Sequence, residues 1–422
     1  MIFEGDAKIH KTNDVFYNPA QKLNRDLTID VINQFMAEKD NLHIFEAMSA
    51  TGLRGIRFAR ELDKKCIIHM NDSNELAIKT ISKNCTLNGF TEIEKNVFQY
   101  SNKSIILTND DCNTHLYKNK NYYDVIDIDP FGGCSIFVDS ALVNIKNGGL
   151  LCLTATDTAV LCTNRTKCFL KYDTIIEKTD AFKELALRVL IGYVLRQASK
   201  YEKRVIPILS LSIDFYVRIF FIVHKKDSKQ NINDLSFYNI CICGNNEKID
   251  IYAKIRFGVN SNIKCDFCGS NYKFIGPLYN KSLHDSNFLS KLSQRCSEKR
   301  LSGIINVAKM ELDTFLYYSI YSMSSLKKTQ CVPLKSMLSA LLYYNYKISL
   351  THCSLNSFKT NAPVKKIYEI IEMYISKDRK IKYHEVFAIK KEIEIFFNDR
   401  NYRGLLNSKL GPLSRKNNNN KG

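Results

Sequence analysis

The stretch HIFEAMSATGLRGIRFAREL, His43–Leu62, decides the fold. Its first part, His43–Met48, is an apolar run of strand type, and its last part, Leu53–Leu62, carries apolar residues at helical spacing. The small residues between them, Ser49, Ala50, Thr51 and Gly52, let the backbone turn tightly and present helix N-terminal N–H groups to a ligand carboxylate. The same alternation runs on. Cys66–Met70 reads as a second strand and Glu75–Leu87 as a helix with Ile78, Ile81 and Cys85 on one face. Ile105–Thr108, Val125–Ile128 and Leu150–Thr154 supply further strands. Strands separated by helical stretches predict a parallel sheet with crossover helices. Ile206–Ser212 and Tyr216–Val223 read as a later hairpin with Asp214 near its turn. The composition turns polar after Lys225, and a domain boundary is expected there.

A chain of 422 residues has room for about two or three domains. Lys and Arg exceed Asp and Glu by 18, which favours a polyanionic partner such as RNA or DNA held through phosphates. No long apolar span is present, and Met1–His10 already contains Glu4, Asp6 and Lys8, so an intracellular protein without a membrane anchor is expected. Most of the 14 cysteines lie singly inside apolar patterns, where a free thiol acts as a small hydrophobe. No internal repeat is evident, and the Asn417–Asn420 run marks a tail expected to be disordered.

Two loops carry chemistry. Asp72 ends the second strand about twenty residues after the small-residue turn, where doubly wound folds place an acid on ribose hydroxyls. Asp111 and Cys112 follow the third strand, placed either to meet an adenine edge or, with Asp110, to form a solvated loop. These features suit a nicotinamide dinucleotide or S-adenosylmethionine alike. The loop Asp129-Pro130-Phe131-Gly132 breaks the tie, although such a tetrapeptide also makes a common turn after a strand. A carboxylate and the Pro130 carbonyl can accept the N–H groups of an exocyclic amine, and Phe131 can stack on its base. Hydride transfer needs no such clamp; methyl transfer to nitrogen does, so S-adenosylmethionine is favoured.

In the C-terminal part, Cys241 and Cys243 precede Cys265 and Cys268 in nearly the two-pair arrangement of a structural zinc site. The first pair is separated by one residue rather than two, so a reduced cysteine-rich loop without metal stays open. Helical patterns cover 285–325, 333–346 and 363–399, and the helix at 333–343 with the segment Thr351–Thr360 could form a winged-helix-like unit. Lys327, Lys328, Lys335, Lys359, Lys365 and Lys366 are candidate phosphate contacts. Tyr317, Tyr318, Tyr343, Tyr344 and Tyr346 fit core packing better than base stacking.

Several of these segments, in order, resemble the tRNA (guanine(26)-N(2))-dimethyltransferase family. Val15-Phe16-Tyr17-Asn18-Pro19 with Asn24-Arg25-Asp26 resembles its opening motif, which implies a cofactor contact for Arg25 and a place beside the catalytic pocket for Phe16. Ser49–Arg57 resembles its cofactor loop, implying contacts around Gly52 and from Arg54, and Asn71-Asp72 its ribose-binding acid. Asp111-Cys112 stands where the family has Asp-Ala. Asp127–Gly132, Asp139–Leu142 and Thr154–Ala159 with Leu161 and Cys162 form the most specific match and imply that Asp129 is the catalytic carboxylate. Gly276–Tyr279, His284-Asp285, Thr351-His352 and Lys359-Thr360 resemble C-terminal segments of the family.

The expectation is therefore an α/β chain. A Rossmann-like, class I S-adenosylmethionine-dependent methyltransferase domain over 1–225 carries an N-terminal extension. A smaller α+β tRNA-binding domain over 226–410 holds the cysteine cluster at 241–268 as a zinc site, and a tail follows over 411–422. The implied activity is transfer of one or two methyl groups to guanine N2 at position 26 of tRNA, with Asp129, Pro130, Phe131 and Phe16 at the reacting base and no obligate protein partner. An amino-methyltransferase of DNA or ribosomal RNA is the alternative, and a non-catalytic tRNA-binding or chaperone protein is a second.

Overall fold

Five apolar runs between residues 42 and 155 form the parallel centre of a nine-stranded sheet in the computed structural model, which describes residues 1–10, 17–249, 263–377 and 383–398. In spatial order the strands are Arg204–Ile213, Tyr216–His224, Ile145–Ala155, Tyr123–Ile128, Leu42–Glu46, Cys66–Asn71, Lys103–Thr108, Val97–Tyr100 and Thr91–Glu94. The run from Ile145–Ala155 to Lys103–Thr108 is parallel, and both flanks are antiparallel. Such strands read as continuous apolar runs because helices cover both of their faces.

The chain enters at Leu42–Glu46, steps outward to Lys103–Thr108, and then crosses back to lay Tyr123–Ile128 on the other side. That reversal leaves a crevice above the carboxyl ends of Leu42–Glu46 and Tyr123–Ile128, the point at which open α/β sheets bind ligands. The helix Leu53–Glu61 starts directly after Gly52, whose φ of 78° suits a residue without Cβ. Asn74 caps Glu75–Leu87 by accepting the Leu76 N–H at 2.9 Å, and Ile78, Ile81 and Cys85 are buried as their spacing requires.

The helix Phe182–Ser199 is apolar on nearly every side, with buried residues from Leu185 to Leu195 in unbroken succession. One flank packs on the sheet and another on strands that follow residue 225, so Leu190, Phe221, Tyr238 and Leu278 belong to one continuous core. Gly192 sits where the passing strand leaves little room, since a Cβ there would lie 3.3 Å from the Pro277 carbonyl oxygen. The buried Arg188 guanidinium is paired with Glu184 at 2.7 Å and donates to the Tyr279 carbonyl at 2.9 Å.

Beyond the large sheet, Leu235–Ile240 pairs with Asn246–Ile249 and Lys273–Tyr279, and Ser357–Thr360 pairs with Tyr318–Ser319 and Ile348–Leu350. The helical pattern expected over 285–325 is interrupted: Ser286–Arg295 and Lys299–Met310 are helices, but the chain then leaves the helical path until Ile320–Leu326. Glu311 explains the break, because its carboxylate turns inward to accept from His352 Nδ1 at 2.7 Å and Thr351 Oγ1 at 3.0 Å. The expected phosphate contact from Lys359 is corrected for a related reason. Its ammonium is buried 3.1 Å from Glu184 and 3.5 Å from Glu311, where no phosphate can reach it. Tyr317 is buried, and Tyr318, Tyr343, Tyr344 and Tyr346 pack against the core around Leu341 and Ile367. Among the described residues no helix is long and apolar enough to cross a membrane. The 411–422 tail lies outside the described residues.

Candidate active site and cysteine cluster

A cleft of about 640 Å³ occupies the crevice at the strand reversal. Arg25, Arg54, Asp72, Asp129, Pro130 and Phe131 all line it, together with Glu46, Tyr17 and Phe215. Gly52 stands behind its wall at the helix start. Asp111 and Cys112 are not part of the lining: the Asp111 carboxylate caps the helix Cys112–Lys118 by accepting the Thr114 N–H at 2.9 Å, and Cys112 is packed in the core. Phe16 lies outside the described residues.

The floor of the cleft is a chain of charges. Asp127, next to the last residue of the buried strand Tyr123–Ile128, has its two oxygens at 2.8 Å from Arg218 and 3.1 Å from Arg54. Burial alone would raise the Asp127 carboxyl, but the two guanidinium groups outweigh it and the net direction is down. Arg54 reaches onward with Nη2 to Asp129 Oδ2, and Asn24 Nδ2 donates to the same oxygen at 3.4 Å. Arg218 is fixed on its far side by Thr154 Oγ1 at 2.9 Å and Thr28 Oγ1 at 2.8 Å. Asp129 is thus delivered to the cleft by a strand, gripped by an arginine, and still 21% exposed.

Phe131 follows directly and is 78% exposed at the rim. The turn behind it is closed by a reciprocal pair, in which the Gly132 N–H donates to Thr156 Oγ1 and the Thr156 N–H donates to the Gly132 carbonyl, each at 2.9 Å. Gly133 leaves room for the Asp157–Tyr172 pair: a Cβ would stand 2.5 Å from Asp157 Oδ2 and displace it. On the opposite wall Asp72 ties the small-residue loop, accepting the Ala50 N–H at 2.8 Å and the Asn74 N–H at 2.9 Å. Arg25 borders the cleft with its guanidinium held bidentately by Glu4, both contacts at 2.6 Å.

Three contributors escaped the sequence reading. Arg218 was legible as a lone cation inside Tyr216–His224, since a charge in a buried strand demands a partner. Thr28, on the helix Lys22–Met36, carried no such signal. Glu46 ends the first strand fully buried, and its Oε2 has no hydrogen-bond partner among the described residues. Burial pushes its carboxyl up to about 8 against the pull of Arg54. Gly55 makes room for it, because a Cβ there would lie 2.6 Å from Glu46 Oε2.

The four cysteine sulfurs of Cys241, Cys243, Cys265 and Cys268 lie within 4.8 Å of one another, with Cys241–Cys268 at 3.3 Å and Cys243–Cys265 at 3.8 Å. Zinc–sulfur bonds of about 2.3 Å in a tetrahedron set sulfurs roughly 3.8 Å apart, so the donor set fits that ion. Each pair ends in a glycine of left-handed φ, Gly244 at 93° and Gly269 at 72°, which turns the backbone under the thiols. The one-residue gap of the first pair does not prevent convergence.

A family model described as N2,N2-dimethylguanosine tRNA methyltransferase matches residues 2–372. The chain is 29% identical to the tRNA (guanine(26)-N(2))-dimethyltransferase of Caenorhabditis elegans, across 90% of this chain and 81% of that one. It is 30% identical to the enzyme of that name from Schizosaccharomyces pombe, across 91% and 83%. A solved structure of Trm1 from Pyrococcus horikoshii with S-adenosyl-L-methionine is similar at a TM-score of 0.77 and 28% identity, covering 87% of this chain and 98% of that one.

Two predictions concern the buried charges. Arg218→Met leaves Asp127 with half its compensation and is expected to cost about 3–5 kcal/mol in urea unfolding, part of which Asp127→Asn restores when added to it. For Glu46 the ordinary value is 4.5 and the folded value about 8, so folding favours the protonated acid. Its stabilisation is full below about pH 4.5 and is lost as pH rises through about 8. Unfolding midpoints of the protein measured across that window should fall relative to those of Glu46→Gln.

Proposed function

Because the chain belongs to the N2,N2-dimethylguanosine tRNA methyltransferase family, we propose that it transfers one or two methyl groups from S-adenosylmethionine to the exocyclic N2 of guanine 26 in tRNA. The observation that carries this reading is the Asp129 carboxylate in the cleft, held by Arg54 and followed by the exposed ring of Phe131 at the rim. The position of the cleft at the strand reversal, its volume of about 640 Å³ and the acid Asp72 in its wall fit a ligand of that cofactor's size and chemistry.

When bound, S-adenosylmethionine supplies a methyl group that its sulfonium has already made electrophilic. The work left to the protein is alignment of the amine and exclusion of water. Arg54 and Asn24 both take Oδ2 of Asp129, which leaves Oδ1 to accept an N–H of the guanine amine and then its proton. Phe131 offers its ring to the base face, and Pro130 sets the backbone between carboxylate and ring. Asp72 would receive ribose hydroxyls beside the loop it already orders, and Arg25 and Arg54 would contact the cofactor. We also propose that Cys241, Cys243, Cys265 and Cys268 hold a structural zinc, which would tie the loop after Ile240 to the loop before Lys273.

Purified protein incubated with S-adenosylmethionine and unmodified tRNA transcripts should yield methylated guanosine, read by nucleoside mass spectrometry, from transcripts with guanine but not adenine at position 26. Asp129→Asn should lower kcat by roughly 10²–10⁴-fold with cofactor affinity by calorimetry unchanged; near-normal turnover would remove the carboxylate from the mechanism. Metal analysis should find about one zinc per chain, lost in Cys265→Ala. A parent protein free of zinc would overturn that assignment.

A further inference from the structure

We infer that the helix Arg165–Tyr172 is a docking ridge for the nucleotides flanking the target guanine, which deepens the proposed function and rests on it. The helix buries only Cys168 and Tyr172. On its outer side Phe169 is 56% and Leu170 73% exposed, two large apolar residues left mostly open. Contiguous exposed apolar surface of this kind marks an interaction site.

Its place in the molecule is fixed by hydrogen bonds that lead back to the catalytic loop. Tyr172 Oη donates to Asp157 Oδ1 at 2.9 Å, and Asp157 lies against Gly133, two residues after Phe131. Lys171 Nζ stands 3.6 Å from Asp157 Oδ2. The last turn of the helix is therefore stitched, through Asp157, to the loop that carries Phe131 and Gly133.

The chemistry of the ridge names its occupant. Arg165, Lys167 and Lys171 are cations on a helix that contains no acid. Arg165 pairs with Glu177 and Lys171 faces Asp157; the two carboxylates are largely buried, but both cations are about half exposed and keep donors turned to solvent for a phosphate. Cations interleaved with an exposed ring and an aliphatic side chain suit unpaired RNA, whose phosphates meet the cations and whose bases stack on the apolar surface. Drawing a guanine out of a folded RNA leaves its neighbours unstacked, and the ridge offers them an apolar surface.

The test compares the full chain with Phe169→Ala/Leu170→Ala and with Lys167→Glu, all of them exposed positions outside the cleft. Filter-binding Kd for the tRNA transcript is measured over a range of salt, alongside kcat, the tRNA KM and the cofactor Kd. Both variants are expected to raise the tRNA Kd and KM tenfold or more while kcat at saturating tRNA and the cofactor Kd hold. The charge variant should also lose about 0.7–0.9 from the slope of log affinity against log salt. Unchanged tRNA Kd and KM in both variants would overturn the ridge, as would a change confined to oligomeric state by light scattering, which would make the surface a protein contact. A parent that binds tRNA without methylating it would count against the proposed function and leave the ridge to be judged by the binding data alone.

Discussion

Everything in the cleft depends on a carboxylate that has no access to water. Asp127 is fully buried between Arg54 and Arg218, and removing it from solvent is affordable only because both oxygens meet a guanidinium. With Asp129 added, two carboxylates face two guanidinium groups, so the floor of the cleft is close to neutral while its dipoles are fixed before any ligand arrives. Such fixed groups need no reorganisation when charge shifts during reaction. The arrangement also explains why an antiparallel hairpin closes this edge of the sheet. Tyr216–His224 is more than cover for Ile145–Ala155, since it carries Arg218 into the interior at the level of Asp127.

The carboxylate pair and the neutral acid beside it divide the labour of the cleft. Asp127 is kept charged by its neighbours, whereas Glu46, one strand away, is protonated over much of the range because burial outweighs the single arginine near it. Two acids at the ends of adjacent strands therefore answer to opposite forces. The difference lies in the number of cations within reach, and Gly55 sets how closely the backbone may approach the neutral one.

The sheet was legible in the sequence because its central strands are short, mainly apolar runs and its helices show one-sided spacing, as in Glu75–Leu87 with Ile78, Ile81 and Cys85. Two features were hidden for physical reasons. Thr91–Glu94 alternates acids with little apolar content, and it pairs only at the sheet edge, where no core demands hydrophobes. The helix Phe182–Ser199 has no polar face to betray its period, because neighbours surround it. At the site, Asp129, Asp72 and the small-residue loop stood out by their position after strands. The grip of Arg54 on Asp129 could not be read, since it joins residues 75 apart in the chain. The end of helix Lys299–Met310 was equally silent, being decided by the pairing of Glu311 with His352 far along the sequence.

The helix Phe182–Ser199 has a consequence for how the two halves of the chain relate as units of inheritance and handling. It packs against both, so a cut at Lys225 would bare apolar surface. The surface exposed by such a cut would be the apolar flank that Tyr238, Ile275 and Leu278 now cover. A change in the second half can then reach the large sheet by loosening the helix that packs against both.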